Sequence, residues 1–338
     1  MSGPVRPPAW VVAHPTAAQE RSGEPLADPA FHQAIARSRT GHDALAGVIV
    51  SEQLAWRRGP GGQAVARVWA ESGAEVAVIA GADPRHQADT RQLLVDGAAS
   101  ITEWGRRIRD LGATMACWHT ILESSEAFVP AKADVVAAVI DSGLDPMLRI
   151  SVPGTSLDSP RAVRQLSELL TGLDSRGYDL SHLTLCVPMP IPRHAGQGIG
   201  ARLVDGLVGA VPDQVRAVVV ISSRDHLHLA QADASDLASA LSRRVTPWPV
   251  AYSAGDMALR AAAAWWKAPE LAGDAARRFD KILELLAQPK APAFIGWPTD
   301  DTPTTDVPLQ HPDTGPRRKF DTSLFRIRSL YRRPPVQP

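Results

Sequence analysis

The sequence predicts an α/β fold, a closed (β/α)8 TIM barrel. Three observations predict it. Eight short apolar runs alternate with longer stretches of helical periodicity, which is the pattern of parallel strands joined by crossover helices. No low-complexity linker interrupts the middle of the chain, so no internal domain boundary is expected. The length of 338 residues fits a barrel of about 250 residues with tails.

The elements follow in order. A strand at 10–13 leads to a helix at 29–39, and the run Gly-Val-Ile-Val-Ser at 47–51 to a helix at 62–72. The strand at 75–80 is wholly apolar after Glu75 and precedes a helix at 86–111. Strand 114–119 and helix 131–142 form the fourth unit, strand 146–152 and helix 161–175 the fifth. That fifth helix has a start signal, Ser159-Pro160, and an apolar period at Val163, Leu166, Leu169 and Leu170. Strands at 183–189, 217–222 and 249–253 alternate with helices at 199–209, 228–243 and 257–287. Residues 1–8 read as a flexible N-terminus and 9–290 as the barrel. Residues 291–338 read as an irregular, Pro-rich C-terminal arm and tail, too poor in apolar residues over 299–318 to build a core.

Composition narrows the function. Thirty-six basic residues balance 36 acidic ones, which leaves no electrostatic footprint for nucleic acid or an anionic membrane. No apolar run approaches the roughly 20 residues of a membrane helix, and the first residues lack the apolar region of a secretion signal. Two cysteines, Cys117 and Cys186, make no disulfide framework. The expectation is a cytoplasmic protein with a small-molecule substrate and no cofactor. Gly59-Pro60-Gly61-Gly62 fits no phosphate-loop pattern. A metal reading of Asp225, His226 and His228 lacks a fourth ligand at motif spacing.

Several segments resemble one family. Gly112-Ala113-Thr114-Met115-Ala116-Cys117-Trp118-His119 resembles the strand G-A-D-F-A-K-W-R of class I fructose-bisphosphate aldolases. Leu180-Ser181-His182-Leu183-Thr184-Leu185-Cys186-Val187-Pro188-Met189-Pro190-Ile191-Pro192-Arg193-His194 is similar, without a gap, to that family's L-E-G-T-L-L-K-P-N-M-V-T-P-G-H. Gly143-Leu144-Asp145-Pro146-Met147-Leu148-Arg149-Ile150-Ser151 looks like G-I-V-P-I-V-E-P-E, and Pro247-Trp248-Pro249-Val250-Ala251-Tyr252-Ser253-Ala254-Gly255 like P-W-x-L-T-F-S-Y-G. The likeness is strongest over about 100–290, in keeping with a single barrel.

The resemblance implies a class I aldolase-like barrel, a homo-oligomer, and a set of positions whose chemistry has changed. Cys186 stands where the family's Schiff-base lysine stands, and Cys117 at a second active-site lysine. A thiol forms no iminium, so lysine aldol chemistry is not expected. Arg149 replaces the acid–base glutamate and His119 an arginine. His14 lies at an aspartate position, and Glu52 is similar to a glutamate at the end of the second strand. Of the family's phosphate grip, Ser222 and Gly255 remain. Asp256 comes where an arginine is expected, and Arg224 would compensate in part.

Side chains alternate along a strand, so Cys117 and His119 share a face, as do Arg149 and Ser151, and Thr184 and Cys186. The resemblance turns these faces inward. Cys186 and Cys117 are then either nucleophiles, with His119 as acid–base, or small buried apolar residues. Arg149 either pairs with Glu52 or holds a substrate carboxylate. Ser151, Ser222, Arg224, Gly255, Asp256 and His14 complete the expected substrate site. Two functions remain. One is a repurposed aldolase-fold enzyme, lyase- or synthase-like, performing a bond-forming or cyclising step on a small carbonyl- or carboxylate-bearing substrate in a specialised biosynthetic pathway. The other is a catalytically dead pseudo-aldolase that serves as a binding or assembly module.

Overall fold

The computed structural model describes residues 9–14, 19, 23–38, 45–80, 97–122, 128–152, 157, 159–190, 198–224, 226–266 and 272–287. The barrel belongs to a unit spanning Met1–Thr299, and the residues of a second unit, Asp300–Pro338, all lie outside those described. So do 1–8 and 291–338, the expected flexible terminus and C-terminal arm.

Eight parallel strands close into a barrel in sequence order, with β1 paired to β8. They are β1 (Ala9–Ala13), β2 (Leu45–Ser51), β3 (Glu75–Ile79), β4 (Met115–Ile121), β5 (Asp145–Ser151), β6 (Thr184–Pro188), β7 (Ala217–Ile221) and β8 (Val250–Ser253). The α-helices are α1 (Pro29–Ser38), α2 (Glu52–Trp56), α3 (Val65–Glu71), α4 (Ala98–Asp110), α5 (Phe128–Asp141), α6 (Pro160–Asp174), α7 (Ile199–Ala210), α8 (Leu227–Arg243), α9 (Met257–Ala263) and α10 (Ala272–Ala287). The fold is therefore the (β/α)8 TIM barrel that the alternation predicts.

Strands buried on both faces read as continuous Val/Ile runs, and β2, β3 and β7 do so. Helices instead show one apolar face. In α6, Ala162, Leu166, Leu169, Leu170 and Leu173 are buried, and Ser159 caps its start by accepting from the Ala162 amide at 3.3 Å.

Three helix expectations change. The helix placed at 86–111 is α4, which begins at Ala98, while 86–96 lie outside the described residues. The helix placed at 257–287 is two, α9 and α10. The chain leaves α9 at Ala264, and Trp266 packs edge-on against Phe31 of α1 with ring centroids 5.6 Å apart. The short helix α2 was not anticipated. Ser51 forms it by capping, its hydroxyl accepting from the Leu54 amide at 3.3 Å.

The inner faces of the strands make their own apolar cluster: Trp10, Val12, Ile49, Ala77, Ile79, Met115, Cys117, Met147, Cys186, Val219 and Ala251. A larger cluster lies between strands and helices. Near the amino ends of the strands the Trp10 indole lies over Gly47 on the neighbouring strand, where a Cβ would stand only 2.6 Å from it. The interior is thus a packed core, and open chemistry is left to the carboxyl-end mouth.

Candidate functional site at the barrel mouth

The strand register fixes which side chains meet. Cys117 pairs with Met147, His119 with Arg149, and Arg149 in turn with Cys186. Cys186 continues the row to Val219, and Val219 to Ala251. His119 and Arg149 therefore stand side by side near the carboxyl ends of β4 and β5, with Ser151 one inward position further out.

The thiols are placed as core residues. Cys117 is fully buried and Cys186 almost so, and both are free. Burial pushes the Cys186 thiol up to about 12, only partly opposed by the Arg149 charge. Burial raises Cys117 further, with Cys186 adding to the effect. Both stay protonated at neutral pH, and a protonated thiol surrounded by Met115, Met147 and Ile79 is a small apolar core residue.

His119 differs. Its Nε2 lies 2.6 Å from Ser151 Oγ, linking the ends of two neighbouring strands. Burial of the ring, then the charge of Arg149, then that of Lys132 on α5, hold its pKa down to about 4. The residue keeps an open outer side, so water and solutes reach it. At neutral pH the imidazole is uncharged and able to accept a proton.

Arg149 is half-buried, and among the described residues it makes no hydrogen bond or ion pair. The expected alternative of a Glu52 partner is not found. Glu52 opens α2, and its Oε1 accepts from Trp104 Nε1 on α4 at 2.9 Å. Trp104 in turn packs edge-on against Trp118, which points outward from β4. Glu52 thus ties a helix pair together and does not neutralise the mouth.

The other expected substrate residues form a second group on β7 and β8. Ser222 is fully buried and donates to Asp233 Oδ2 on α8 at 2.8 Å. Arg224 donates from Nε to the same oxygen at 3.0 Å and pairs with Asp233 as an ion pair. The Arg224 amide also donates to Ser222 Oγ at 3.3 Å. Arg224 is committed to Asp233 and is not held out for a ligand. Gly255, with φ +64°, follows β8, and a Cβ on it would approach Ser222 O to 3.1 Å. Asp256 pairs with Arg260 one turn on at 3.0 Å. His14 follows β1, half-buried, across the barrel from β5.

Sequence reasoning missed two participants. Asp233 sits on the apolar face of α8 beside Ala230, Ala234 and Leu237, and an acid at that spacing is the signal that could have found it. Lys132 lies on the helix that follows β4, and nothing in its local sequence marks it. Asp225 lies outside the described residues, while the exposed rings of His226 and His228 stack with centroids 5.6 Å apart. Among the described residues no group of three metal-ligating side chains converges, and no helix is long and apolar enough to cross a membrane.

No protein-family model matches the chain, and no curated protein matches its sequence. Solved structures do match. The chain is similar to a fructose-bisphosphate aldolase from Plasmodium falciparum, solved in complex with TRAP and a small-molecule inhibitor. The TM-score is 0.64 and the identity 14%, over 84% of this chain and 90% of that one. At that identity the likeness is one of fold: the chain is an aldolase-like (β/α)8 barrel.

Proposed function

We propose that the chain is a repurposed aldolase-fold enzyme that takes a small carboxylate- or carbonyl-bearing substrate at the barrel mouth and uses no lysine Schiff base. Its reaction is a bond-forming or cyclising step of a specialised biosynthetic pathway. One observation carries this reading. Arg149 stands in the mouth without a carboxylate partner among the described residues, beside a neutral histidine and near Lys132. A half-buried guanidinium that no acid among the described residues neutralises suits an anionic ligand, which it can grip through two parallel hydrogen bonds. Schiff-base chemistry is set aside because the strand position that resembles the family's lysine holds Cys186, a buried thiol.

The test is titration of the full-length protein with a panel of small keto acids and dicarboxylates, followed by calorimetry. Binding to the native protein, abolished in Arg149→Met with the unfolding temperature kept or raised, supports the reading. Unchanged binding in that variant, together with a large stability loss, refutes it.

The second reading is a pseudo-aldolase acting as a binding or assembly module. It draws on the interior below the mouth, which Trp10, Met115 and Met147 fill. It predicts no carboxylate binding at all, with Arg149→Met silent in every small-molecule assay.

A further inference from the structure

We infer that Ser151 and His119 form a nucleophile–base dyad for acyl transfer, with Ser151 Oγ as the attacking atom. This rests on the proposed function only for the choice of substrate, an ester or thioester bearing a free carboxylate for Arg149.

The geometry is that of an activated serine. Oγ and Nε2 are 2.6 Å apart, and the two residues come from neighbouring strands of a rigid barrel, so the pair is set by register. In the Nδ1–H tautomer the Ser151 hydroxyl donates to Nε2, as attack requires. Both residues sit at the carboxyl end of the barrel, where solvent reaches His119. Among the described residues no carboxylate bonds the imidazole, and the two side chains alone make the pair. Arg149 lies two residues before Ser151 on the same face and is the register partner of His119. Its cationic head is in reach of either a substrate carboxylate or the oxyanion that forms on attack.

The charges around the dyad make it responsive to its ligand. Among the described residues the charged groups acting on His119 are Arg149 on β5 and Lys132 on α5, and both disfavour its protonation. An anion bound by Arg149 offsets that repulsion and makes the ring a stronger base while substrate is present.

The chemistry balances without a redox partner. Ser151 Oγ forms a bond to the acyl carbon while His119 Nε2 takes the hydroxyl proton. The tetrahedral adduct collapses, the bond from acyl carbon to the leaving oxygen or sulfur breaks, and His119 returns the proton to the leaving group. Water, or a hydroxyl or amine of the substrate itself, then attacks the acyl-serine and gives its proton to His119. The Ser151 ester bond breaks and Oγ recovers the proton. An internal nucleophile closes a ring, which joins this step to the cyclising reaction proposed above.

The test uses the full chain and two kinds of probe. A fluorophosphonate should modify Ser151 stoichiometrically, as mapped by peptide mass spectrometry. Ser151→Ala should lose that label, and His119→Gln should slow it about a hundredfold, the usual worth of a general base. Circular dichroism confirms that both variants fold. Mono-4-nitrophenyl succinate should acylate Ser151 faster than 4-nitrophenyl acetate, and Arg149→Met should erase that preference. Absence of label on Ser151, or label that survives Ser151→Ala, overturns the dyad. The two readings fail separately. Labelled Ser151 without a succinate preference keeps the dyad and sinks the Arg149 anchor. Carboxylate binding lost in Arg149→Met, with Ser151 unlabelled, does the reverse.

Discussion

His119 and Arg149 are register partners on neighbouring parallel strands, so a permanent cation stands beside a titratable ring. Arg149 adds to burial in holding the imidazole at about 4. Removing the cation favours the protonated ring. Arg149→Met should therefore raise the His119 pKa from about 4 toward the ordinary histidine value, and Lys132→Gln should move it the same way by less. A carboxylate bound at Arg149 should act in the same direction. Histidine proton shifts in an NMR pH titration read all three, and a His119 pKa unmoved by Arg149→Met contradicts the arrangement.

The Ser222–Asp233–Arg224 cluster makes a stability prediction. The Asp233 carboxylate takes the Ser222 hydroxyl and the Arg224 guanidinium, with side-chain exposures of only 11% for Asp233 and 18% for Arg224. Asp233→Ala strands a largely buried cation and a buried hydroxyl. The expected loss is about 3 kcal/mol, in the range found when one partner of a buried pair is removed. Replacing both partners, Asp233→Leu with Arg224→Met, should recover much of it, because the cost lies in the orphaned charge. Denaturant unfolding of Asp233→Leu, Arg224→Met and the double variant measures the coupling.

Much of this was legible in the sequence, and the rest was not for identifiable reasons. The strands showed because Val- and Ile-rich runs such as β3 and β7 are short, are buried on both faces and alternate with longer helical patterns. That Cys117 shares a face with His119, and Arg149 with Ser151, followed from a period of two. The contact between His119 and Ser151 did not, because it depends on the offset between β4 and β5, which only the assembled ladder sets. The partner of Glu52 was equally hidden. Trp104 is 52 residues away on α4, and no local pattern couples an indole to a carboxylate at that distance. Arg224 looked free because its acid, Asp233, is one helical turn and a half into α8 on an apolar face. The break between α9 and α10 had a signal in the sequence, since Pro269 falls within the stretch read as one helix and a proline there ends or kinks a helix.

The thiols should be silent in the folded protein. Cys117 and Cys186 are buried, unbridged and held protonated, so an aromatic disulfide reagent at neutral pH should find neither until the chain unfolds, and then two per chain. Borohydride with fructose bisphosphate or dihydroxyacetone phosphate should trap no adduct at position 186, because a thiol forms no imine. Rapid labelling of the native protein at Cys186 would restore the nucleophile reading that its burial argues against.

His32 gives the fold an acid limit. It is fully buried in α1, its Nε2 donates to the Leu26 carbonyl at 2.8 Å, and its ring packs edge-on against Phe31 and Trp69. Burial lowers its pKa from 6.5 to about 4, with the Leu26 hydrogen bond and the Asp28 charge opposing the shift. The unfolded chain thus takes up this proton at a higher pH than the folded one. Stability from His32 is complete above about pH 6.5, declines as pH falls toward 4, and changes no further below that. The shift corresponds to about 3 kcal/mol across the window, at roughly 1.4 kcal/mol per unit. His32→Gln carries no titrating group, so its unfolding free energy should fall less steeply between pH 6.5 and 4, whatever its stability at neutral pH. Urea unfolding of both proteins at half-unit pH steps compares the slopes. Parallel curves would mean that the buried imidazole is not what limits the fold in acid.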